Sequence, residues 1–470
     1  MSPYRPLAAV VLAAGEGTRM RSTTPKVLHQ LCGRPMLAHV VDALTALPLE
    51  RIVIVVGHGA EQVTKTLQEQ LATDVPIEFI EQRVQRGTGD AASIGLTAFA
   101  DDSDGDGDVI VMPGDAPLVR AEVLARLATE HRRADAAATA LTAARGEHTA
   151  DFGRIVRDEE GRLDRIVERA DASADELALT EVNTSIYCFR RGLLTPALRR
   201  LSPENAQGEY YLTDAIAVLR EAGHVVVAVA ADDPTAAMHV NDRAQLAVAE
   251  AELRHRINDR WMRDGVGMTD PDRTYIDAAV ELEPDVHLMP GTILQGRTAV
   301  GAGSVIGPDT RLVDTVVGEA AVIQNTVARE VEIGDRATVG PYVSLRPGTR
   351  VGAGAHVGTF VETKNAEIGD GAKVPHLSYM GDVEIGARAN VGAGSITANH
   401  DGTHKHRSKI GADAQLGSNT VLVAPVEVGD GAYTGAGAVV NRDVPPGAMA
   451  KGVPARIDEG WADRDPETPE

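Results

Sequence analysis

"IGDRATVGPYVSLRPGTRVGAGAHVG", residues 333–358, sets an aliphatic side chain at every sixth position: Ile333, Val339, Leu345, Val351 and Val357. The same beat returns at Ile410, Leu416, Leu422 and Val428, and glycine follows most of these residues. An α-helix repeats its faces every 3.6 residues and a coiled coil every 3.5, so a period of six fits neither. It belongs to the hexapeptide class of left-handed parallel β-helix, in which each flat face of a coil sends one aliphatic inward. Glycine is expected at the corners, where the absence of a Cβ permits a tight bend. One coil cannot bury its own apolar face, so stacked neighbours must provide the core. A disordered glycine-rich segment would not hold a branched aliphatic in register. The register breaks at "NAEIGDGAK" (365–373), "MGDVEIG" (380–386) and "ANHDGTHKHRSK" (398–409). Insertions of this kind map to one face of a solenoid, often the binding face.

Toward the N-terminus the texture changes. Up to about residue 243, short apolar runs such as "RIVIVVGHG" (51–59) and "DVIVMPGDAPL" (108–118) alternate with helical patterns such as "AEQVTKTLQEQL" (60–71). Runs buried on both faces and joined by helices predict an α/β, Rossmann-like, mostly parallel sheet with ligands at the carboxyl ends of its strands. In "NDRAQLAVAEAELRHRINDRWMRDG" (241–265), Leu246, Leu253, Ile257 and Trp261 recur at helical spacing and predict one amphipathic connecting helix. The expected division is therefore an α/β domain over 1–243, a linker helix over 244–265, a β-helix over 266–456 and an acidic, fraying tail over 457–470.

Composition narrows the function. A formal net charge of −22 argues against a nucleic-acid partner and against docking on an anionic membrane, so anionic substrates must meet local cations. No apolar run approaches the ~20 residues that span a bilayer. "MSPYRPLAAVVLAAG" (1–15) lacks the features of a secretory signal, and Cys32 and Cys188 are the only cysteines. A cytoplasmic location is expected. "DDSDGDGDVIVMP" (101–113) spaces Asp102, Asp104, Asp106 and Gly107 like a calcium loop. Its twelfth position is Pro113 rather than the bidentate glutamate, and calcium is set aside.

"VVLAAGEGTRMRSTTPK", residues 10–26, carries the first chemistry. Leu7 to Leu12 reads as a strand and Gly15 to Met20 as a turn whose glycines let backbone N–H groups approach phosphate oxygens. The Gly-Lys-Ser/Thr of a P-loop is missing, and Met20 stands where a dinucleotide fingerprint needs its third glycine. Arg19, Arg21 and Lys26 follow, a set suited to neutralising a polyphosphate.

The run L-x-A-G-x-G-T-R-M-x(4)-P-K resembles the signature of sugar-phosphate nucleotidyltransferases. From about Ala8 to Val453 the chain resembles the bifunctional N-acetylglucosamine-1-phosphate uridyltransferase/glucosamine-1-phosphate acetyltransferase family. That resemblance implies two reactions on the way to UDP-N-acetylglucosamine for bacterial cell-wall synthesis, with UTP and acetyl-CoA as co-substrates and a homotrimeric assembly whose acetyltransferase sites lie between chains. For uridylyl transfer it implies that Leu12, Ala13, Ala14 and Gly15 face the nucleotide, Arg19 and Lys26 the phosphates, and Gln82, Gly87 and Thr88 the uracil. Gly114 lies in the same motif as Asp115, which with Asn241 matches the family's Mg²⁺ pair. Gly153, Glu168 and Asn183 match its sugar-binding positions. Pro113 departs from the tyrosine that some members place there.

For acetyl transfer the resemblance makes His376 the base that takes a proton from the amine, a task suited to an imidazole titrating near neutrality. It gives Arg346 and Lys364 to the phosphate of glucosamine-1-phosphate, and Tyr379 and Asn390 to its sugar. Ala393, Asn399, His400, Ser418 and Ala436 match coenzyme positions. His400 replaces a tyrosine, and Gly452 an arginine for which Lys451 or Arg456 could substitute; both bear on coenzyme affinity. His400, His404 and His406 are read as facing coenzyme phosphates with Lys405, Arg407 and Lys409 rather than as a metal site. The rival reading is a single-activity nucleotidyltransferase whose β-helix regulates or oligomerises.

Overall fold

The computed structural model describes residues 5–99, 107–146, 149–233, 235 and 238–461. The aspartates of the calcium-like run, Asp102, Asp104 and Asp106, and residues 462–470 of the acidic tail lie outside that set. The chain divides into two compact units, Met1–Leu253 and Arg254–Glu470.

The first unit is built on a sheet whose main strands are β1 (Leu7–Ala13), β2 (Leu49–Val56), β3 (Ile77–Glu81), β4 (Asp108–Pro113), β5 (Ala138–Ala144), β6 (Glu181–Arg190) and β7 (Val226–Ala230). Their spatial order is β7-β5-β6-β4-β1-β2-β3. All neighbours are parallel except β6, which runs antiparallel to both β4 and β5. Strand β1 shows why the sheet must be covered on both sides. Leu7, Ala9, Val11 and Ala13 enter one apolar cluster while Ala8 and Val10 enter another. Successive side chains of a strand point to opposite faces, so a strand with no polar alternation demands helices on each.

A helix over Arg243–Arg263 follows. Leu246 and Leu253 pack on a cluster containing Leu31, Met36 and Met238. Beyond the division of the units, Ile257 is buried and Asn258 Nδ2 donates to the carbonyls of Pro271 at 2.8 Å and Thr274 at 3.0 Å. The helix is shared between the units, its two halves anchored separately.

The second unit is a parallel β-solenoid. Paired strands are mostly 16 to 18 residues apart along the chain, three hexads to a coil. At the insertion the distance grows to 25 residues, as in Val383 with Ser408. Every aliphatic of the six-residue beat is at most 3% exposed. The expectation of one inward residue per face is corrected, because the residue two places earlier is buried as well: Val331, Ala337, Val343, Thr349 and Ala355 precede Ile333 through Val357. Each short strand alternates in, out, in. At Thr349 and Thr420 the hydroxyl of the extra residue is satisfied by a backbone carbonyl, Thr349 Oγ1 donating to Arg346 at 2.7 Å and Thr420 Oγ1 to Gly417 at 2.7 Å, whereas the buried Ser408 hydroxyl has no partner among the described residues.

The corner role expected of glycine holds at Gly340, Gly354 and Gly371, which have positive φ, but is corrected at other sites. At Gly352, Gly369 and Gly386 a Cβ would stand 2.4–2.7 Å from atoms of the next coil. These glycines let coils approach. One left-handed corner is instead taken by Asp309, Asn325, Tyr342, Phe360 and Leu377 in successive coils, all with φ between 44° and 60°. The closing hairpin of Met449–Gly452 and Ala455–Asp458 carries the chain past residue 457, and Trp461 packs on Tyr433 with ring centroids 4.5 Å apart.

The chain's two tryptophans, Trp261 and Trp461, both lie in the second unit, so their fluorescence reports its unfolding. Leu345→Ala empties an inward position and is expected to cost about 2–5 kcal/mol in a urea titration followed this way. Val322→Ala, at a position 40% exposed, is expected to cost less than about 0.5 kcal/mol.

Candidate active sites

In the first unit the carboxyl ends of β1 and β4 lie side by side. Leu12 pairs with Pro113, and the Gly114 N–H donates to the Leu12 carbonyl at 2.9 Å. Asp115 follows just past the sheet. Gly17, in the left-handed region, lets the chain after β1 fold back, and a Cβ there would be 2.5 Å from Lys26 Cβ. The fold-back delivers Lys26 to Asp115: its Nζ pairs with Asp115 Oδ2 and also donates to Asn241 Oδ1 at 2.8 Å. Arg19 donates to the same amide oxygen at 2.9 Å. Four residues chosen from distant parts of the sequence therefore meet.

Burial works against ionisation of Asp115, but the charge of Lys26 overcomes it and holds the carboxyl below its ordinary range. His239 also lies near that carboxylate, its Nδ1 3.9 Å from Asp115 Oδ1. Its ring packs on Phe152 at 4.7 Å, and burial pushes its pKa below the usual imidazole value.

A cavity of about 320 Å³ opens beside this cluster. Leu12, Ala13, Ala14, Gly15, Lys26, Gln82, Gly87, Thr88, Asp115 and Glu168 line it, as the sequence predicts for a nucleotide and sugar site. Gly87, at φ 103°, is required: a Cβ there would meet the Tyr210 carbonyl at 2.6 Å. Gly114, Gly153, Asn183, Arg19 and Asn241 are not lining residues. Gly153 and Asn183 sit behind the wall, where the Asn183 N–H donates to the Gly153 carbonyl at 2.9 Å and Asn183 Nδ2 to the Tyr187 hydroxyl at 2.7 Å. Glu168 accepts from Thr213 Oγ1 at 3.1 Å. Burial raises its pKa, and the carboxylates of Asp214, Asp171 and Glu209 add to the effect.

Several residues of this wall escaped the sequence reading. Gln85 donates to the Ala14 carbonyl at 2.6 Å and so braces the loop after β1. Ser185, Tyr187, Glu209, Thr213 and His239 also face the cavity. Only Gln85 had a legible signal, its place between Gln82 and Gly87.

In the second unit, Arg346, Lys364 and Tyr379 come together through the stacking of coils. Leu345 pairs with Thr363 and Glu362 with Tyr379. Arg346 Nη1 donates to Glu362 at 3.0 Å, and Lys364 Nζ lies 3.7 Å from Asp382 Oδ2. Asp382, missed in the sequence, is the hub: it also accepts from Asn365 at 2.9 Å and from Asn399 at 2.5 Å. Asn399 therefore points at a carboxylate rather than outward. His376 is exposed, one residue past the coil corner from Ser378, which donates to its carbonyl at 2.7 Å. Asn390 pairs with Lys373, which lies three residues before His376. Ala393, Ser418 and Ala436 stack at one corner, with the Asn419 N–H on the Ala393 carbonyl at 2.7 Å and the Gly437 N–H on the Ser418 carbonyl at 2.8 Å.

The cationic insertion is only partly as expected. Lys405 faces Lys364, whose charge depresses its pKa. Arg407 and Lys409 are held by Glu367 and Glu427, at 2.8 and 3.9 Å. His400 accepts from the Gly402 N–H at 3.1 Å and His406 pairs with Asp401 at 2.7 Å, so these rings make contacts within their own loop. Lys451 and Arg456, the possible substitutes for an arginine at Gly452, face each other across the closing hairpin.

Residues 9–215 match the model of the MobA-like NTP transferase domain, and residues 407–442 that of the bacterial transferase hexapeptide repeats. Over 467 residues the chain is 49% identical to the bifunctional protein GlmU of Streptomyces avermitilis, covering 99% of this chain and 95% of that protein. The chain belongs to the GlmU family. Its similarity to the GlmU of Thermobifida fusca is 49% over 99% of this chain and 96% of that protein, and to that of Mycolicibacterium vanbaalenii 48% over 98% and 93%. Both halves of the chain thus carry the family's two kinds of domain.

Glu168 yields a pH test. Its folded pKa is raised, so the stability associated with its neutral form is complete at low pH and is lost as pH rises through that folded value. Glu168→Gln removes the charged form. In the ligand-free protein its melting temperature by circular dichroism is expected to exceed the parent's by a few degrees at pH 8 and to match it at pH 4.

Proposed function

We propose that this chain makes UDP-N-acetylglucosamine in two steps. The β-helical unit transfers an acetyl group from acetyl-CoA to glucosamine-1-phosphate. The α/β unit then transfers uridylyl from UTP to N-acetylglucosamine-1-phosphate and releases pyrophosphate. The observation that supports this most is the near-full-length match to bifunctional proteins in a chain that pairs a cavity lined by Lys26 and Asp115 with hexapeptide coils.

In uridylyl transfer an oxygen of the sugar phosphate attacks the α-phosphorus of UTP, the bond to the β-phosphate breaks and pyrophosphate leaves. Such reactions depend on in-line positioning and on neutralising charge. Leu12 to Gly15 present backbone to the nucleotide, with Gly114 beside them, and Gln82, Gly87 and Thr88 enclose the base. Arg19 and Lys26 neutralise the phosphates, and Gly153, Glu168 and Asn183 hold the sugar. Asp115 and Asn241 are suited to Mg²⁺: Asp115 Oδ1 is a buried oxygen with no hydrogen-bond partner among the described residues, and an ammonium already reaches both side chains. Asp115 and Asn241 would hold Mg²⁺, which would supply positive charge against the charge that develops on the phosphates.

In acetyl transfer, His376 takes the proton that leaves the sugar amine as its nitrogen adds to the thioester carbonyl. The carbon–sulfur bond then breaks and coenzyme A departs as its thiol. Arg346 and Lys364 hold the sugar phosphate, Tyr379 and Asn390 the sugar, and Ala393, Asn399, His400, Ser418 and Ala436 the coenzyme. Three chains associate through their β-helices. An exposed apolar corner supports association: Tyr342 and Phe360 stack at 5.5 Å beside Leu377, each at least 58% exposed. The enzyme works in the cytoplasm and feeds cell-wall synthesis.

Separate assays of thiol release and pyrophosphate release test the division of labour. His376→Ala is expected to lower acetyl transfer by roughly 10²- to 10⁴-fold and leave uridylyl transfer unchanged. Lys26→Ala is expected to do the reverse. Parallel loss of both activities in either variant would contradict the scheme.

A further inference from the structure

His239 has no role in the scheme above, yet it lines the cavity beside Asp115. Its placement follows from Val240. The Val240 N–H donates to the Asp115 carbonyl at 2.9 Å, and its side chain is buried with Leu31, Met36, Leu118 and Met238. Side chains alternate along an extended segment. With Val240 turned into the core, its neighbours His239 and Asn241 are both delivered to the acid.

Two further contacts fix the imidazole. Its ring packs against Phe152, and Nε2 lies 3.0 Å from the Thr184 carbonyl oxygen. A carbonyl oxygen only accepts, so Nε2 carries the hydrogen, and the neutral ring has its lone pair on Nδ1. That lone pair faces Asp115 Oδ1 across 3.9 Å, and this buried oxygen has no hydrogen-bond partner among the described residues. Two electron-pair donors thus converge with no proton between them. Cis ligands of an octahedral ion stand about 3 Å apart, so a small swing of the ring brings both into one coordination sphere. The Thr184 carbonyl would then play the part of the outer partner that orients a ligating histidine.

We propose that His239 Nδ1 is a ligand of the divalent cation held at Asp115, adding one nitrogen donor to the oxygens of Asp115 and Asn241. The inference rests on reading Asp115 as the cation site, and it sets the selectivity of that site. Mg²⁺ is best served by oxygen alone, whereas an imidazole favours first-row transition ions. This chain therefore takes Mn²⁺ or Co²⁺ in preference to Mg²⁺.

The test uses the full metal-free chain, Mn²⁺ alone as the spectroscopic probe, and calorimetric titrations with Mn²⁺ and with Mg²⁺. Pulsed electron paramagnetic resonance is expected to show nitrogen coupling to Mn²⁺ in the parent and none in His239→Ala. The same variant is expected to lose roughly 10- to 100-fold in Mn²⁺ affinity, the range seen when even an outer partner of a ligand is removed, while Mg²⁺ affinity moves by less than about threefold. Coupling absent from the parent, coupling that survives in the variant, or equal loss of both ions overturns the assignment. Asp115→Asn separates the levels. If it leaves Mn²⁺ binding intact, the cation site itself has been misplaced. If it abolishes binding while His239→Ala binds like the parent, only the role of His239 falls. His239→Phe, which keeps a ring against Phe152 but offers no nitrogen, serves if the alanine variant does not fold.

Discussion

A chain that turns a corner every six residues leaves each short strand room for only two inward side chains, and the second unit obeys that constraint throughout. The branched aliphatic fills the middle of the coil; the smaller residue two places earlier lies nearer the corner, where a hydroxyl can be satisfied by a carbonyl. Neither position is apolar enough alone to hold a coil. Stability accrues by stacking, since each coil buries the exposed faces of its neighbours and offers them parallel backbone hydrogen bonds. The insertion at 399–407 can leave and rejoin because it adds residues outside the paired strands, which resume at Ser408. Polar and cationic side chains are thereby added without disturbing the core.

The first unit solves a different problem. A protein with 68 acidic and 46 basic residues must concentrate positive charge where a polyphosphate is to sit. It does so by placing Lys26 and Arg19 on Asp115 and Asn241. The pairing has a cost, since Asp115 is largely withdrawn from water, and an unpaired buried carboxylate would be strongly unfavourable. Lys26, proposed to meet the phosphates, also keeps the carboxylate ionised. Lys364 beside Asp382 repeats the device in the second unit, with Lys405 crowding it.

Much of this was legible in the sequence. The beat of six at Ile333 to Val357 gave the solenoid, because no other regular structure has that period. Unbroken apolar runs such as Val10 to Leu12 gave the doubly covered sheet. Arg19, Lys26, Asp115 and Asn241 were found through local motifs, and the structure brings them together. What escaped depends on contacts between distant segments. His239 matters because Val240 is tied to Asp115, a pairing across more than a hundred residues. Asp382 carries no signal in the sequence, because only the stacking of three coils places Lys364, Asn365 and Asn399 on it. The antiparallel direction of strand β6 is not legible in its residues, since direction within a sheet is set by connections rather than composition. Some glycines were located correctly but for a different reason: coil spacing, not backbone twist, forbids a Cβ at Gly352 and Gly369.

The hairpin of Met449–Gly452 and Ala455–Asp458 has a consequence beyond local packing. Every other rung of its sheet runs the same way and would accept another like itself. Among the described residues the last rung reverses direction after Pro454, so this sheet closes on a strand of opposite polarity. Open sheet edges invite the attachment of further chains. By turning back on itself the chain covers this edge with a reversed strand, which offers an added parallel rung no matching partner.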